Sequence, residues 1–311
     1  MNREDFTRYV DLALADGDLA VMRPVVEKEL LHYEIFSALD EAGLLTNLVF
    51  QGGTSLRLCR GSDRFSEDLD FAGGKEFTTE SMTRIKACIE SRIGERFGLK
   101  VNVKEPKKDA GGGLVSVGKW IVSIETVPGS RDIPRQKIKL EIANIPAYTQ
   151  EAVPLRMNYS VLNGRRATLV NTETIDEVLA DKVVALPTSI SKFQDGEQVL
   201  TPTRIRHRDI WDIAWLIEQG AQLDVGLVNQ KILDYGIEDF DKLVEVALKQ
   251  IPFIAEGDAF KTQMQRFIKA NTLQKTLGVP SYCIYMSTVV SKQFNDVARQ
   301  RLGVLIQPPT D

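Results

Sequence analysis

The 311-residue chain has few of the residues that build thiol, disulfide and histidine centres. Its two histidines, His32 and His207, have no nucleophile and no set of metal ligands near them in the sequence. The three cysteines, Cys59, Cys88 and Cys283, lack the spacing of a metal site and cannot all pair within one chain. We therefore expect neither a zinc site nor a disulfide framework, and reduced thiols are typical of a cytoplasmic protein.

Long apolar runs and biased tracts are also absent. No segment approaches the roughly 18 apolar residues of a membrane span, and the N-terminal sequence MNREDFTRYV carries acids where a secretory signal has an apolar core. The net charge of −4 argues against non-specific coating of nucleic acid, although a local basic groove is compatible with it. With 43% apolar and 26% charged residues, we expect a soluble, cytoplasmic globular protein without membrane contact.

The order of periodic segments predicts two domains. Residues 1–170 combine amphipathic helices with alternating strands and should form an α/β domain, whereas residues 171–311 should form a helical C-terminal domain. The predicted helices and strands of the first domain include helices at 3–15, 24–43 and 79–98 and strands at 99–104, 115–126 and 136–144. The later helices are predicted at about 223–235, 238–250, 257–270 and 281–302.

Capping residues predict several boundaries. Thr79 should cap the third helix. Thr172 or Thr174 should cap the first helix of the second domain, and Pro187 should end it because proline cannot continue a helix. The polar segment 188–203 that follows is expected to be a mobile loop.

The stretch Leu48–Phe71, LVFQGGTSLRLCRGSDRFSEDLDF, holds the densest set of candidate functional residues. It reads as a strand, a Gly-Gly-Thr-Ser turn that opens a short helix, a basic loop and a second strand. Residues two apart on a strand share a face, so Asp68 and Asp70 point the same way. Their like charges repel unless a cation lies between them, and carboxylate oxygens suit Mg²⁺ or Mn²⁺.

The turn in this stretch suits a phosphate group. A glycine-rich turn at a helix N-terminus presents backbone N–H groups to an anion. The turn residues are Gly52, Gly53, Thr54 and Ser55. One turn for a triphosphate and two acids for its metal ion together predict a nucleotide site.

A third acid lies on the predicted strand 136–144. In KIKLEIAN, aliphatic residues alternate with Lys137, Lys139 and Glu141. Glu141 could therefore lie opposite Asp68 and Asp70 as a further metal ligand. A half-exposed strand with a solvated charged face explains the same alternation, and the pattern alone leaves both interpretations open.

Two basic features lie in the second domain. Lys182 falls within an apolar helical stripe, where a lysine either extends its ammonium group to solvent or binds an anion. Further on, the segment RIRHRDIWDIAWLIEQG contains Arg204, Arg206, Arg208, Asp209 and Asp212. The helix dipole favours the acids there without any function, whereas the arginines oppose it and should be neutralised by the acids or by an anion.

The segments GGTSL, RFSEDLDF, KIKLEI, IDEVLADKVVAL and RHRDIWDI together resemble the nucleotidyltransferase signature of the DNA polymerase β superfamily. More narrowly they resemble the AbiEii/AbiGii-type toxin family, in the family's order over about residues 48–217. The resemblance implies an α/β (α+β) fold with a strongly twisted mixed sheet and a helical C-terminal domain. It also implies an Mg²⁺-dependent (or Mn²⁺-dependent) transfer of a nucleoside monophosphate (NMP) from a nucleoside triphosphate (NTP).

The resemblance assigns roles to individual residues. Asp68 and Asp70 would bind the metal, Glu141 would be the third carboxylate, Lys182 would be catalytic or bind triphosphate, and Asp209 would be the acid of the final motif. The phosphate-binding candidates are Gly52, Gly53, Thr54, Ser55, Arg64, Ser66, Arg206 and Arg208. Of these, Arg64 and Ser66 should chiefly shape the loop and bond the acids. His207 should be no more than a phosphate or RNA contact.

Two departures from the superfamily pattern affect these roles. Thr54 replaces the commoner serine but keeps the hydroxyl group. Glu141 stands where many members have aspartate, so its longer side chain leaves the ligand distances open.

The implied acceptor is the 3′ end of tRNA. The resemblance also implies a cognate antitoxin and a role in a toxin–antitoxin or phage-defence system. Two basic runs agree with an RNA acceptor, although solvated loops explain them equally well: Lys100, Lys104, Lys107 and Lys108, and Arg131, Arg135, Lys137 and Lys139. The alternatives are transfer to a protein or small-molecule acceptor, a non-catalytic NTP-binding regulator, and a structural helical adaptor with a relic domain.

Overall fold

The computed structural model describes residues 4–15, 19–106, 115–127, 129 and 135–302. Lys107, Lys108 and Arg131, three members of the basic runs, lie outside the described residues. The chain divides into two compact units, Met1–Glu173 and Thr174–Asp311.

The first unit is built on a mixed sheet of seven strands. In chain order they are β1 (Val49–Gln51), β2 (Leu69–Ala72), β3 (Lys100–Lys104), β4 (Val117–Glu125), β5 (Gln136–Ala143), β6 (Gln150–Pro154) and β7 (Leu169–Glu173). Their order across the sheet is β3-β4-β5-β2-β1-β7-β6. The pairs β2–β5 and β1–β7 are parallel and the others antiparallel, which confirms the predicted mixed sheet.

The same unit contains helices, some of which pack on the sheet. They are α1 (Phe6–Leu14), α2 (Arg23–Glu41), the short α3 (Gly52–Ser55) and α4 (Ile85–Phe97). α2 packs on β5, and α4 packs on β3. In β5 the aliphatic residues Ile138, Leu140 and Ile142 are buried, whereas the alternate positions face away from this core. Burying each such aliphatic side chain contributes roughly 1.5–3 kcal/mol, so the alternation fixes which face of β5 carries the charged residues.

Thr79 does not cap α4, which corrects the predicted boundary. A 3₁₀ turn occupies Thr79–Met82, and α4 begins only at Ile85. The Thr79 hydroxyl donates to the Glu80 carboxylate at 3.3 Å, so it bonds a neighbouring side chain instead of a helix N–H group. β6 and β7 form an antiparallel pair that the sequence pattern did not predict.

The second unit is mainly helical. Its helices are α5 (Ile175–Ile190), α6 (His207–Glu218), α7 (Val225–Tyr235), α8 (Phe240–Glu256), α9 (Asp258–Met264), α10 (Ala270–Lys275) and α11 (Pro280–Leu302). Thr174 caps α5 as predicted, since its hydroxyl oxygen accepts the N–H of Glu177 at 3.4 Å. In the part of the chain that the structure describes, none of the helices has the length and apolar character needed to cross a membrane.

The predictions for the end of α5 are wrong in two respects. Pro187 lies inside the helix, which continues to Ile190 because the N–H of Ser191 still donates to the Pro187 carbonyl. The predicted loop at 188–203 instead contains an antiparallel hairpin of β8 (Ser191–Gln194) and β9 (Glu197–Leu200). Its turn residues, Asp195 and Gly196, have φ values of 54° and 82°. Two left-handed residues in Asp-Gly are typical of a type I′ hairpin turn.

Candidate active site

The glycine-rich turn brings backbone close to one of the candidate acids. Gly52 follows β1 directly and has a φ of +76°, a left-handed conformation that glycine adopts without strain. A Cβ atom at Gly52 would lie 2.9 Å from Oδ2 of Asp70. The glycine therefore makes room for the Asp70 carboxylate beside the turn.

Three carboxylates lie at neighbouring positions of the sheet. Asp70 on β2 is in register with Glu141 on the parallel strand β5 and with Gln51 on β1. Neighbouring strands lie about 4.8 Å apart, so the Asp70 and Glu141 side chains share one face. Asp68 precedes β2 and accepts the backbone N–H of Lys139 on β5 at 3.3 Å. These contacts place Asp68, Asp70 and Glu141 at the neighbouring strands β2 and β5.

Two lysines neutralise these acids in the structure. The Lys139 ammonium group lies 3.1 Å from Oδ2 of Asp68, and Lys119 on β4 lies 2.7 Å from Oε1 of Glu141. The hydrogen bond to Asp68, with the charge of its carboxylate, raises the pKa of Lys139. The four side chains are 29–50% exposed, and ion pairs this accessible contribute little stability. Breaking these ion pairs therefore costs little free energy.

The backbone before β2 is held by two side chains. The Thr54 hydroxyl donates to the Asp68 carbonyl. His32 on α2 lies 3.0 Å through Nε2 from the Glu67 carbonyl and is fully buried. Burial lowers the pKa of His32 to about 4, so its neutral ring must donate through Nε2 to this carbonyl. No local pattern indicates this role, because His32 lies far from Glu67 along the chain.

The hydroxyl groups and the basic loop chiefly shape the turn. Ser55 donates through Oγ to the Gly52 carbonyl at 2.8 Å. Arg64 is buried and donates to the Phe65 carbonyl at 2.7 Å. A Cβ atom at Gly53 would lie 2.2 Å from a terminal nitrogen of Arg64 and 3.3 Å from Oγ of Ser66. The loop therefore packs directly against the turn.

The acids suit a hard divalent cation. In the described ranges, no group of three or more His, Cys, Asp or Glu side chains is arranged to hold a metal ion. Mg²⁺, however, is usually held by one or two protein carboxylates together with substrate phosphates. Asp68 and Asp70 supply such a pair, and the ammonium groups at Asp68 and Glu141 show that this face attracts cations. The donor set fits Mg²⁺ or Mn²⁺.

A second charged cluster lies within the helical unit. The Lys182 ammonium group on α5 lies 2.6 Å from Oδ1 of Asp209 and 2.9 Å from Oδ2 of Asp212, both on α6. The three side chains are 8%, 4% and 0% exposed. Lys182 therefore does not extend to solvent, and its anionic partners are two carboxylates. From the sequence, the position of Asp212 near the start of a helix is explained by the helix dipole alone. In the structure its carboxylate pairs with the buried Lys182 ammonium group.

The arginines at the start of α6 have different partners. Nε of Arg206 lies 2.9 Å from Oδ2 of Asp209, and the Arg206 side chain is 58% exposed. The Arg208 guanidinium lies over the Phe267 ring, 4.9 Å from its centroid. His207 is buried near Phe260, and burial lowers the pKa of its ring. The neutralisation predicted from the dipole is confirmed for Arg206.

The sequence matches a known family over most of its length. The family model described as nucleotidyl transferase AbiEii toxin, type IV TA (toxin–antitoxin) system, matches residues 34–288. The chain belongs to this family. It is therefore a nucleotidyltransferase toxin of a type IV toxin–antitoxin family, and membership implies a cognate antitoxin. No curated protein has a significantly similar sequence.

Solved structures share the fold. The chain is similar to MenT4, a nucleotidyltransferase toxin from Mycobacterium tuberculosis H37Rv, with a TM-score of 0.58, 15% identity, and coverage of 95% of this chain and 90% of that chain. It is also similar to JHP933 from Helicobacter pylori, with a TM-score of 0.49, 19% identity, and coverage of 90% and 95%. The likeness to MenT4 confirms the predicted fold class of a mixed sheet with helices.

Proposed function

We propose that this enzyme transfers NMP from an NTP to an RNA hydroxyl group, in the first place the 3′ end of tRNA. The observation that carries the proposal is the set of neighbouring carboxylates beside the glycine turn. Asp70 lies against Gly52 and is in register with Glu141, and Asp68 is anchored to β5. The residues proposed to bind phosphate and those proposed to bind the metal thus belong to one unit.

The chemistry is an in-line displacement at the α-phosphorus. The acceptor oxygen forms a bond to the α-phosphorus. The bond between the α-phosphorus and the oxygen that bridges to the β-phosphate breaks, and pyrophosphate leaves. Mg²⁺ or Mn²⁺ bound by Asp68 and Asp70 would neutralise phosphate charge and align the acceptor. Glu141 either adds a metal ligand or accepts the proton of the acceptor hydroxyl.

The glycine turn and its loop hold the substrate phosphates in this proposal. Gly52 and Gly53 present backbone to the phosphates. Thr54 and Ser55 already donate to carbonyl groups, so their hydroxyl oxygens stay available chiefly as acceptors and their main task is to hold the turn. Arg64 packs against the turn and is itself held by its hydrogen bond to the Phe65 carbonyl.

The roles of residues in the second unit are predictions that rest on the family motifs. Lys182 is proposed to serve catalysis or triphosphate binding, with Asp209 holding its ammonium group. Arg206 is the more exposed arginine beside Asp209 and can offer a planar fork to a phosphate, and Arg208 is retained as a second candidate.

The test is NTP-dependent labelling of bulk tRNA by the purified chain. Each NTP, labelled at the α-phosphate, is supplied in turn with Mg²⁺, and the RNA is resolved on a gel. Asp68→Asn should abolish labelling while thermal unfolding is unchanged. Asp63→Asn is the matched control, since it removes an equal charge from an exposed aspartate of the same loop and should retain labelling.

Different outcomes separate the alternatives. Label on a protein or small molecule, with none on RNA, would replace the acceptor while keeping the chemistry. Absence of pyrophosphate release with every acceptor would support a non-catalytic NTP-binding regulator. Full labelling by Asp68→Asn would contradict the proposed role of the acids.

A further inference from the structure

Five lysines lie on one face of the sheet, next to the carboxylates. We call this group the lysine face: Lys100, Lys104, Lys119, Lys137 and Lys139. The strand registers place them together. Glu141, Lys139 and Lys137 on β5 are opposite Lys119, Ile121 and Ser123 on β4. Ile121 and Ser123 are in turn opposite Lys104 and Asn102 on β3.

This face is open to solvent, unlike the other side of the same strands. All five lysines are exposed, with Lys119 at 48% and Lys139 at 50%. The intervening residues of β3 to β5 belong to the core; Val103, Trp120 and Leu140, for example, are almost completely buried. The lysines therefore form a surface on one side of a sheet whose other side is fixed by packing.

The charge of the lysine face contrasts with the rest of the chain. The whole protein has a net charge of −4. On this face of β3, β4 and β5, the acids are Glu141, which belongs to the candidate site, and Glu125, which is in register with Lys100 and lies 3.5 Å from Arg135. Among the described residues, Lys100, Lys104 and Lys137 form no ion pair. Their charge is available to an external anion.

The lysine face is continuous with the acids. Lys139 binds Asp68 and Lys119 binds Glu141, whereas Lys104 and Lys100 lie on β3 at the edge of the sheet. Three strand spacings separate β2 from β3, or about 14 Å. A polyanion lying across the strands would thus meet lysines from the sheet edge to the carboxylates.

We propose that the lysine face binds the phosphate backbone of a single-stranded RNA segment whose end lies at the carboxylates. This inference rests on the proposed function and deepens it by assigning the surface that holds the acceptor. Lysine ammonium groups bind phosphates as point charges, and Asn102 and Ser123 add polar groups between them. The face has no aromatic residue at the described positions of β3 to β5, so its lysines contact phosphates and not bases, and binding is tolerant of sequence.

The test uses a fluorescent single-stranded RNA of about 12 nucleotides, within the site sizes of sequence-tolerant binders. Its affinity for the full chain is measured by anisotropy between about 50 and 200 mM salt. The test variant combines Lys100→Gln, Lys104→Gln and Lys137→Gln, which leaves the partners of Asp68 and Glu141 intact. The control combines Lys192→Gln, Lys249→Gln and Lys275→Gln, three exposed lysines of the helical unit.

The lysine face makes a quantitative prediction for the salt dependence. Each phosphate contact on a single strand contributes about 0.7 to the slope of log affinity against log salt, so the test variant should lose about 2 from the slope. Its affinity should fall at least about tenfold at low salt, while the control variant keeps both values. Equal losses in both variants, or none in the test variant, would overturn the proposal. Stronger binding of an acidic peptide than of the RNA would also overturn it.

A transfer assay separates this proposal from the proposed function. If the wild type labels RNA and the test variant shows an unchanged KM for RNA, the proposal that the lysine face binds RNA is wrong and the proposed function stands. If the wild type labels no RNA but binds it through the three lysines, the acceptor assignment fails and the surface stands. A raised KM for RNA with an unchanged KM for NTP supports both.

Discussion

Glu141 lies directly opposite Asp70 on the adjacent parallel strand, and its carboxylate binds the Lys119 ammonium group at 2.7 Å. This pairing joins the acid of β5 to the acids of β2 through backbone register, which is far more rigid than a loop contact. The strand pairing thus fixes the backbone of Glu141 relative to that of Asp70.

In the proposed role of Glu141, Glu141→Gln should lower nucleotidyl transfer by at least about 100-fold, because the amide keeps the size but loses the negative charge and cannot act as the base. The rate of pyrophosphate release measures the loss. Glu125→Gln is a matched control on the same face, since Glu125 pairs with Arg135 at 3.5 Å outside the carboxylate group. If both variants lose activity equally, the loss reflects the charge of the sheet and not a role of Glu141.

Lys182 should be indispensable to the stability of the helical unit. Lys182→Met leaves Asp209 and Asp212 without their shared cation, and both carboxylates are almost fully buried. Breaking a buried pair in this way costs about 3–5 kcal/mol. The measurement is denaturant unfolding, and combining Lys182→Met with Asp212→Leu should recover part of the loss because one unpaired charge is removed.

The control for this prediction is an exposed pair in the same unit. Lys242 and Asp239 are 60% and 46% exposed, so Lys242→Met should cost less than about 1 kcal/mol. A cost for Lys182→Met as small as that of the control would show that the buried cluster does not stabilise the fold. Loss of transfer by Lys182→Met would then report its role in the reaction alone.

Local patterns in the sequence predicted the acids but not their partners. Alternation is sufficient to place Asp68 and Asp70 on one face of a strand. The pairing of Asp70 with Glu141 depends on which strands are neighbours, and this is decided by the packing of the whole sheet. His32 and Lys139 are likewise brought to the Asp68 segment by long-range pairing, for which a single sequence has no local signal.

Some errors had a local signal. The pair Asp195-Gly196 is typical of a two-residue hairpin turn, and this pattern favours a hairpin such as β8–β9 over the expected loop. Pro187 shows the opposite case, since the tertiary structure keeps α5 helical past a residue that usually ends a helix. The boundary at Thr79 failed because its hydroxyl found a side-chain partner.

Gly52 should be needed for activity more than for stability. Gly52→Ala places a side chain at a φ of +76°, which costs about 1–2 kcal/mol, and its Cβ atom would lie 2.9 Å from Oδ2 of Asp70. The carboxylate must then move, and a misplacement of about 1 Å can lower the rate by about 100-fold. Unfolding and transfer rates are both measured.

Gly164→Ala is the matched control for this backbone effect. Gly164 has a φ of +82°, but a Cβ atom there would meet nothing within 4 Å. Both variants should therefore lose similar stability, whereas Gly52→Ala alone should lose transfer. Equal activity in the two variants would show that the Asp70 carboxylate tolerates displacement.

The buried His32 should make stability depend on pH. Its folded pKa is lowered to about 4, so the unfolded chain, with an ordinary histidine pKa of about 6.5, binds a proton first as the pH falls. The contribution of His32 to the free energy of unfolding is fully present above pH 6.5. It falls by about 3 kcal/mol as the pH is lowered to 4. Protonation is unfavourable in the fold because Nδ1 is buried without a hydrogen-bond partner among the described residues.

The free energy of unfolding measured between about pH 7 and pH 4.5 tests this linkage. His32→Gln keeps a donor for the Glu67 carbonyl but cannot titrate, so its stability should fall less steeply with acid than that of the wild type. Burial also lowers the pKa of His207, so His207→Gln should likewise reduce the pH dependence. If His32→Gln and the wild type lose equal free energy over this range, His32 titrates normally and its Nε2 hydrogen bond to the Glu67 carbonyl does not hold the ring neutral.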